Sequence, residues 1–242
     1  MSDLFIGTSG WSYDEWVGDF YPDRTSKSDM LEEYVTHFNS VEINATFYRL
    51  PFENMVKGWH NKAPENFTYA VKGSRQITHY DKLDTDHKQI DRLHDRMKQL
   101  GDHLGPFLWQ LPPSLERDDG LLDSFLQMLP EDRRHAFEFR HPSWFEEDIY
   151  KILEDHGAAP VWISSDDLPD QKEVTTDFVY GRLHGLTSGY SYTYDREELK
   201  PWADSVREIL ESGKDAYLYF NNTGGNAPRC AEWMQEMTGV EV

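Results

Sequence analysis

Cysteine is almost absent from this chain: Cys230 is the only one in 242 residues. A lone thiol cannot form a disulfide within the chain and completes no redox or metal motif, so we expect a small residue packed in a helix. The sequence also lacks an uninterrupted apolar run of about 20 residues, the length that spans a bilayer. Its first residues enter a strand without the basic segment and apolar core of a signal peptide. We therefore expect a cytoplasmic protein with no membrane partner.

Basic residues are scarce: 24 Lys and Arg stand against 44 Asp and Glu, which gives a formal net charge of −20. Such a charge opposes general attraction to nucleic acid and to anionic membranes. The acids are spread along the whole chain, which favours a solvated surface suited to high salt over a local acidic binding surface. Nucleic acid is therefore disfavoured as a partner, and the oligomeric state stays open.

Eight short apolar runs have the length and composition of β-strands. They are Leu4–Gly7, Val41–Asn44, Phe67–Lys72, Phe107–Gln110, His135–Arg140, Val161–Ser164, Phe178–His184 and Ala216–Asn221. Amphipathic helical stretches lie between most of them. This alternation predicts one α/β domain over residues 1–242, folded as a parallel (β/α)₈ TIM-like barrel. Residues 165–177 are polar and too short for a full crossover helix, so the unit between strands six and seven should be abbreviated.

Polar residues alternate with apolar ones toward the carboxyl ends of these strands. In the fifth strand, Phe137 and Phe139 share one face and leave Glu138 and Arg140 on the other. Because the helix-facing side of a barrel strand is apolar, the polar side must point inward. The inward set is Glu42, Asn44, Lys72, Gln110, Glu138, Arg140, Tyr180, Arg182, His184, Tyr219 and Asn221. Active sites of such barrels lie at the carboxyl ends of the strands, so these residues predict a pocket there.

The predicted pocket has three cations, Lys72, Arg140 and Arg182, against two carboxylates, Glu42 and Glu138. A surplus of one positive charge in so acidic a chain favours an anionic ligand such as phosphate, a sugar phosphate, a nucleotide or a carboxylate. The alternative is a set of structural ion pairs that plugs the barrel, for example Glu42 with Arg182 and Glu138 with Lys72. Buried ion pairs seldom add much stability, which weakens that alternative.

Several stretches resemble the domain-of-unknown-function family 72, also called YecE-like, whose members have a TIM-barrel fold. The matching stretches span nearly the whole chain and are Ile6–Tyr13 with Trp16, Phe38–Pro51, Lys72 with Ile77–His79, Gly105–Pro113, Phe137–Phe145, Tyr180–Gly185, Tyr194 with Trp202 and Ala203, and Tyr219–Asn222. The resemblance implies the barrel and the location of its pocket. It implies no established activity.

The candidate site residues divide by expected role. Glu42 and Glu138 are candidates for a general acid–base pair, and His184 is a third proton-transfer candidate. The substrate-binding candidates are Trp11, Asn44, Tyr48, Lys72, Gln110, Arg140, His141, Arg182, Asn221 and Asn222. For each charged residue, lining the pocket is the alternative to direct chemistry. For the rim aromatics, packing under loops is the alternative to stacking on a base or sugar.

The segment 221–228 after the last strand, Asn-Asn-Thr-Gly-Gly-Asn-Ala-Pro, allows two interpretations. It could bind phosphate through free helix amides, as loops after strands seven and eight of such barrels commonly do. Alternatively, Asn226 caps the final helix and Pro228 lies in its first turn. A metal site could draw on Glu42, Glu138 and His184, but the interleaved cations oppose it, and we expect neither metal nor cofactor.

Three functions remain open at this point. The leading one is an enzyme that acts on a small anionic substrate, phosphate-bearing and nucleotide- or sugar-like, with hydrolysis as the reaction to test first. A non-catalytic ligand-binding or regulatory module would use the same pocket. A metal-dependent nucleic-acid phosphodiesterase, similar to barrel repair endonucleases, is supported by fold analogy alone. The acidic surface opposes that third function.

Overall fold

Eight parallel strands form a barrel in the computed structural model, which describes residues 2–187 and 189–239. The strands are β1 Leu4–Thr8, β2 Ser40–Ile43, β3 Thr68–Lys72, β4 Leu104–Gln110, β5 His135–Glu138, β6 Ala158–Ser164, β7 Phe178–Leu183 and β8 Asp215–Phe220. Each pairs in parallel with its neighbour in the order β1-β8-β7-β6-β5-β4-β3-β2. The predicted TIM-like barrel is confirmed, with every predicted strand in place.

Helices alternate with these strands. They are α1 Met30–Tyr34, α2 Ala45–Tyr48, α3 Glu53–Lys62, α4 His87–Met97, α5 Asp119–Leu126, α6 Glu147–Asp155, α7 Arg196–Glu211 and α8 Ala227–Thr238. Residues 165–177 contain no helix, so the abbreviated unit between β6 and β7 is confirmed. The loop after β3 instead contains a π-helix, Gln76–Tyr80. Over residues 2–187 and 189–239, no helix has the length and apolarity needed to cross a membrane.

Two apolar layers follow from the period-two alternation of the strands. The larger layer lies between strands and helices and includes Phe137 of β5 and Phe139, just beyond it. The smaller layer fills the barrel and is made of Ala70, Leu108, Ala136, Ala159, Val161, Ile163, Phe178, Tyr180, Tyr217 and Tyr219. Alanines on β3, β5 and β6 thus face large tyrosines on β7 and β8. Because this filling occupies the middle of the barrel, the polar side chains of the predicted pocket lie beyond it, at the carboxyl-terminal end.

The barrel closes between β1 and β2 with little backbone pairing. A single bridge joins Ser9, just after β1, to Glu42. Closer to the start of β1, the Asn39 side chain takes the place of a strand: its Nδ2 donates to the Leu4 carbonyl at 2.7 Å, and its Oδ1 accepts from the Ile6 amide at 2.9 Å. One side-chain amide therefore supplies both the donor and the acceptor that a paired strand would provide.

Tyr34 of α1 closes the same seam from the helix layer. Its hydroxyl accepts the Thr8 amide at 2.8 Å and donates to the Ser40 carbonyl at 3.1 Å, and it is fully buried. Gly7 makes this approach possible, because a Cβ there would lie 1.9 Å from the Ser40 carbonyl oxygen. These contacts between β1 and β2 fix the positions of Ser9 and Glu42 relative to each other along the barrel axis, at the mouth.

Candidate functional site

Arg182 lies between the two glutamates at the carboxyl-terminal mouth of the barrel. Its Nη2 donates to Glu42 Oε1 at 2.7 Å, and its Nη1 donates to Glu138 Oε2 at 2.5 Å. All three residues are completely buried. The strand parity argument is therefore correct for these residues, and the Glu42–Arg182 pair that the plug interpretation expects is present.

Glu42 has no free oxygen left for an incoming group. Besides Arg182, Ser9 Oγ donates to its Oε1 at 2.8 Å, and the Tyr180 hydroxyl donates to its Oε2 at 2.7 Å. Burial disfavours the charged form of Glu42, but the Arg182 and Lys72 charges outweigh burial and lower the pKa of the carboxyl. Glu42 is thus a buried, ionised and saturated carboxylate.

Glu138 is bound by neighbours on both sides. Gln110 Nε2 donates to its Oε1 at 2.7 Å, and the Arg140 guanidinium folds back over the same oxygen. The Glu138–Lys72 ion pair that the plug interpretation predicts does not form. Arg182 and Arg140, which lies two residues along the same face, bind the Glu138 carboxylate instead. Burial opposes ionisation, but the Arg140 and Arg182 charges hold the pKa of Glu138 well below its ordinary value.

His184 is a neutral link between Arg140 and Asn221. Arg140 Nη2 lies 2.7 Å from Nε2 of the ring, and the Asn221 side-chain amide lies 2.6 Å from Nδ1. Arginine can only donate, so Nε2 accepts and the proton of the neutral ring is on Nδ1. The Asn221 amide faces Nδ1 with its nitrogen, Nδ2, and a half-turn of that amide, which exchanges its nitrogen and oxygen, lets the oxygen accept the Nδ1 proton. Burial, with the two arginine charges, lowers the pKa of His184 to about 4 despite the opposing effect of Glu138.

Lys72 is the cation that no carboxylate neutralises. Its Nζ lies 4.4 Å from the centroid of the Phe47 ring. Within the described part of the chain, the ammonium group makes neither an ion pair nor a hydrogen bond, although its backbone carbonyl accepts from Thr46 Oγ1 at 2.6 Å. Burial and the Arg182 charge lower the pKa of Lys72 to about 8, against the weaker opposing effect of Glu42 and Glu138.

His79, in the π-helix after β3, stands beside Lys72. Its ring packs edge-on against Phe47 with centroids 4.9 Å apart, so Phe47 contacts both residues. Its Nδ1 lies 2.9 Å from Thr78 Oγ1. Burial and the Lys72 charge lower the pKa of His79. A π-helix often marks a functional site, because the extra residue redirects a side chain.

Three further candidates lie at the rim of the mouth. Asn44 is partly exposed directly before α2 and makes no capping bond to that helix. Tyr48 is 66% exposed, with the Arg75 guanidinium 5.5 Å from its ring centroid. His141 is partly exposed, and its Nδ1 is occupied by Ser143 Oγ at 2.8 Å. These three stay candidates for ligand contact.

Two predicted binding residues lie away from the mouth, and the structure corrects them. The Trp11 ring packs edge-on against Trp59 at 5.6 Å and lines a groove between α1 and α3, outside the barrel. Its position after β1 did not fix its direction, because the alternation rule ends with the strand. Asn222 is completely buried and donates to the Tyr192 carbonyl at 2.9 Å. It ties the loop after β8 to the segment before α7.

The loop after β8 only partly follows the capping interpretation. Pro228 lies in the first turn of α8 as expected, but the Asn226 side chain does not cap that helix. Instead, the Cys230 thiol donates to Asn226 Oδ1 at 2.9 Å, and Asn226 Nδ2 donates to the Tyr194 carbonyl at 3.4 Å. Cys230 is buried in α8, which confirms its expected packing role.

A cavity of about 670 Å³ lies beside this loop. Acidic residues dominate its charged lining, with Arg229 against Glu15, Asp19 and Glu232. Like charges raise the cost of holding a phosphate here, whatever the helix amides contribute. The phosphate-binding interpretation of 221–228 therefore gains no support, and the barrel mouth is the better candidate for an anion.

Two sets of residues at the mouth were not among the predicted site residues. Ser9 and Tyr180 complete the shell of Glu42, and Tyr180 shares the inward face of β7 with Arg182, as its strand parity predicts. Phe47, in α2, and His79, in the π-helix, lie beside Lys72. Strand alternation does not apply to residues in these helices, so only the position of His79 beyond a strand end indicated it.

Glu42, Glu138 and His184, the three side chains that could have supplied metal ligands, do not form a vacant site. The Arg182 guanidinium fills the space between Glu42 and Glu138, and His184 lies 3.4 Å from Glu138 with Arg140 against its ring. No group of three metal-ligating side chains occurs among residues 2–187 and 189–239.

The fold agrees with comparisons to known proteins. The family described as "Protein of unknown function DUF72" matches residues 5–242. The chain belongs to this family. UPF0759 protein YunF of Bacillus subtilis (strain 168) is 26% identical over 98% of this chain and 95% of YunF. UPF0759 protein YecE of Escherichia coli (strain K12) is 30% identical over 67% of this chain and 59% of YecE.

Solved structures of DUF72 proteins share the fold. A family member from Thermotoga maritima MSB8 is 29% identical, with a TM-score of 0.89 over 98% of this chain and 99% of that one. A family member from Enterococcus faecalis V583, at 20% identity, has a TM-score of 0.86 over 99% of this chain and 96% of that one, which supports the fold alone. The names of these relatives state no activity, so a function must be argued from the site.

Proposed function

We propose that the mouth of this barrel binds a small anionic ligand, phosphate-bearing and nucleotide- or sugar-like, and that the protein is an enzyme acting on it. The proposal rests on one observation: two of the three cations at the mouth are paired with carboxylates and the third is not. Arg182 and Arg140 bind both carboxylates, and the ammonium group of Lys72 is left facing an aromatic ring. A partly buried cation that no carboxylate neutralises attracts an anion strongly.

The net charge of the mouth supports this reading. Lys72, Arg140 and Arg182 against Glu42 and Glu138 leave one positive charge, and His184, with a pKa of about 4, adds none at neutral pH. Arg140 retains 21% side-chain exposure, so part of its guanidinium can reach a ligand as well. The whole chain carries −20, so an anion entering the mouth meets a local charge opposite to that of the surface.

The residues fit some reactions better than others. Glu42 and Glu138 have lowered pKa values and saturated oxygens, which makes hydrolysis with them as acid and base the weaker form of the proposal. The Lys72 ammonium group and one ring nitrogen of His79 have no hydrogen-bond partner among residues 2–187 and 189–239. Because the carboxylate oxygens are already hydrogen-bonded, the site also fits a second candidate function: a non-catalytic binding module whose charged side chains are held rigidly. A metal-dependent phosphodiesterase is disfavoured, because Arg182 fills the space between its potential ligands.

Isothermal titration calorimetry with inorganic phosphate, pyrophosphate, ribose 5-phosphate and AMP tests the proposal at constant ionic strength. We expect at least one to bind, and Lys72→Met to weaken that binding at least tenfold. Lys151→Met is the matched control, because Lys151 is exposed on α6 and pairs only with acids of its own helix. Equal affinity in wild type and Lys72→Met, or no binding by the panel, counts against the proposal. Binding without conversion of the ligand favours the second candidate.

A further inference from the structure

Lys72 has the surroundings of a reactive amine. It lies at the carboxyl end of β3, where the Thr46 hydroxyl fixes its backbone carbonyl, so its side chain starts from a rigid point. Its Nζ lies over the Phe47 ring and has no hydrogen-bond acceptor among residues 2–187 and 189–239. A lysine that serves only as a structural charge would be expected to bind one of the two nearby carboxylates directly.

Burial, together with the Arg182 and Arg140 charges, favours the neutral form of Lys72. The groups that face it are Glu42 from β2, Glu138 from β5, Arg140 just beyond β5, Arg182 from β7 and His79 from the π-helix. The two carboxylates are neutralised by the two arginines, so their attraction for the ammonium group is reduced. With a pKa of about 8, roughly 200 times more of Lys72 is unprotonated at pH 7.5 than of an ordinary lysine.

We infer that Lys72 is a nucleophile that forms an imine with the carbonyl carbon of an anionic aldehyde or ketone. The inference rests on the proposed function, because the same mouth must hold the anionic group of that substrate, with Arg140 as its contact. It names the substrate class as a carbonyl compound that carries phosphate or carboxylate. Desolvation and a neighbouring cation are the two means by which proteins activate such lysines.

The step needs no oxidant, reductant or metal. The lone pair of Nζ attacks the carbonyl carbon, a C–N bond forms, and the π electrons of the C=O bond move to oxygen, which takes a proton. Nζ loses a proton to give a neutral carbinolamine. The oxygen then takes a second proton and leaves as water while the C=N bond forms, which gives an iminium ion. Loss of the remaining proton from Nζ gives the imine, so an amine and a carbonyl give an imine and one water.

His79 is placed to carry these protons. Its ring shares the Phe47 side chain with Lys72, and one ring nitrogen is held by Thr78 Oγ1 at 2.9 Å. The other nitrogen has no partner in the described part of the chain. Its lowered pKa makes the ring neutral at pH 7, so it can accept the proton that Nζ loses and return it to the departing oxygen.

Trapping with borohydride tests the inference directly. Pyridoxal 5′-phosphate, an aldehyde with a phosphate, and the smaller glyoxylate, an aldehyde with a carboxylate, are each incubated with the full chain at pH 7.5 and reduced. Peptide mass spectrometry then locates the adducts. We expect Lys72 to be modified at least tenfold faster than any other lysine, and inorganic phosphate to slow the reaction with pyridoxal 5′-phosphate.

Two variants separate the inference from anion binding. Lys72→Arg keeps the charge but cannot form an imine, so it should bind phosphate in calorimetry and give no adduct at position 72. His79→Gln should slow trapping at Lys72 at least fivefold without abolishing phosphate binding. Adducts confined to surface lysines with both probes, while phosphate still binds, overturn the inference and leave the proposed function standing. If pyridoxal without its phosphate modifies Lys72 just as fast and phosphate does not bind, the amine is reactive and the proposed function fails.

Discussion

The ammonium group of Lys72 lies 4.4 Å from the centroid of the Phe47 ring, within the electrostatic influence of two carboxylates that it does not bind. The planar guanidinium groups of Arg182 and Arg140 bind those carboxylates instead. A guanidinium donates through a fixed fork of N–H groups, whereas an ammonium group is a point charge, so the arginines win the competition. The mouth thereby keeps one cation available.

Lys72 should cost the protein stability. Its pKa is lowered from 10.5 to about 8, so the folded state holds fewer protons than the unfolded state between these values, and stability rises with pH across that window. Below pH 8 the cost is fully present. We expect Lys72→Met to raise the free energy of unfolding at pH 7 by about 1–3 kcal/mol.

Urea unfolding of wild type and Lys72→Met at pH 7 and pH 10 measures this difference in unfolding free energy, and the difference should shrink at the higher pH. A variant less stable than wild type at pH 7 would contradict the electrostatic account.

Arg182 should be indispensable as long as both glutamates are present. Arg182→Met leaves two buried carboxylates without their central partner. Removing one partner of a buried ion pair typically lowers the free energy of unfolding by about 3–5 kcal/mol, so we expect a loss of at least that size. The triple variant with Glu42→Gln and Glu138→Gln removes the stranded charges and should recover most of that loss. Urea unfolding of the single and triple variants at pH 7 measures both values. Equal destabilisation of the two variants would show that lost packing, not uncompensated charge, is the cause.

Buried neutral histidines should make the fold acid-sensitive. Burial, aided by His135, lowers the pKa of His94 to about 3, and burial lowers that of His135 to about 4. Stability from such a group is complete above the ordinary pKa of 6.5 and is lost as the pH falls toward the folded value. We expect His94→Leu to reduce the loss of unfolding free energy between pH 7 and pH 4 by roughly 2–3 kcal/mol.

The control for that measurement is His87→Leu, on the exposed side of the same helix. It should leave the acid response of the protein as it is in wild type. If His94→Leu follows the wild-type curve from pH 7 to pH 4, burial of His94 does not govern the acid response.

The seam between β1 and β2 should depend on one hydroxyl. Tyr34→Phe removes the acceptor of the Thr8 amide and the donor to the Ser40 carbonyl, both buried. An unsatisfied buried amide costs about 1–3 kcal/mol, so we expect a loss of that size in unfolding free energy. Hydrogen exchange should also show faster exchange at Thr8. Tyr80→Phe, at a 63% exposed position, is the control. Unchanged exchange at Thr8 would mean that the hydroxyl does not hold the seam.

The fold was predictable because strand parity is a strict rule. Within a strand, alternate side chains point to opposite faces, so the apolar partners Phe137 and Phe139 placed Glu138 inside the barrel without further information. The same reasoning placed Arg182 correctly on β7. The abbreviated unit followed from the polarity and length of 165–177 alone.

The pairing of the charges was less predictable, because it depends on side-chain shape and not on parity. The sequence shows that three cations and two carboxylates converge, yet not that Arg140 folds back over Glu138 and leaves Lys72 unpaired. Residues outside the strands do not follow this rule. Trp11 lies away from the mouth and Phe47 lies in it, because a loop and a short helix set their directions.

Titration of Lys72 by NMR tests the central claim most directly. Proteins with ¹³C-labelled lysine, wild type and Lys72→Arg, identify the Lys72 ε-carbon signal, which is then followed from pH 6 to pH 11 with and without inorganic phosphate. The account predicts a pKa of about 8 in the free protein and a higher value with phosphate bound, because an anion stabilises the ammonium form. A pKa near 10.5 that phosphate leaves unchanged would contradict it.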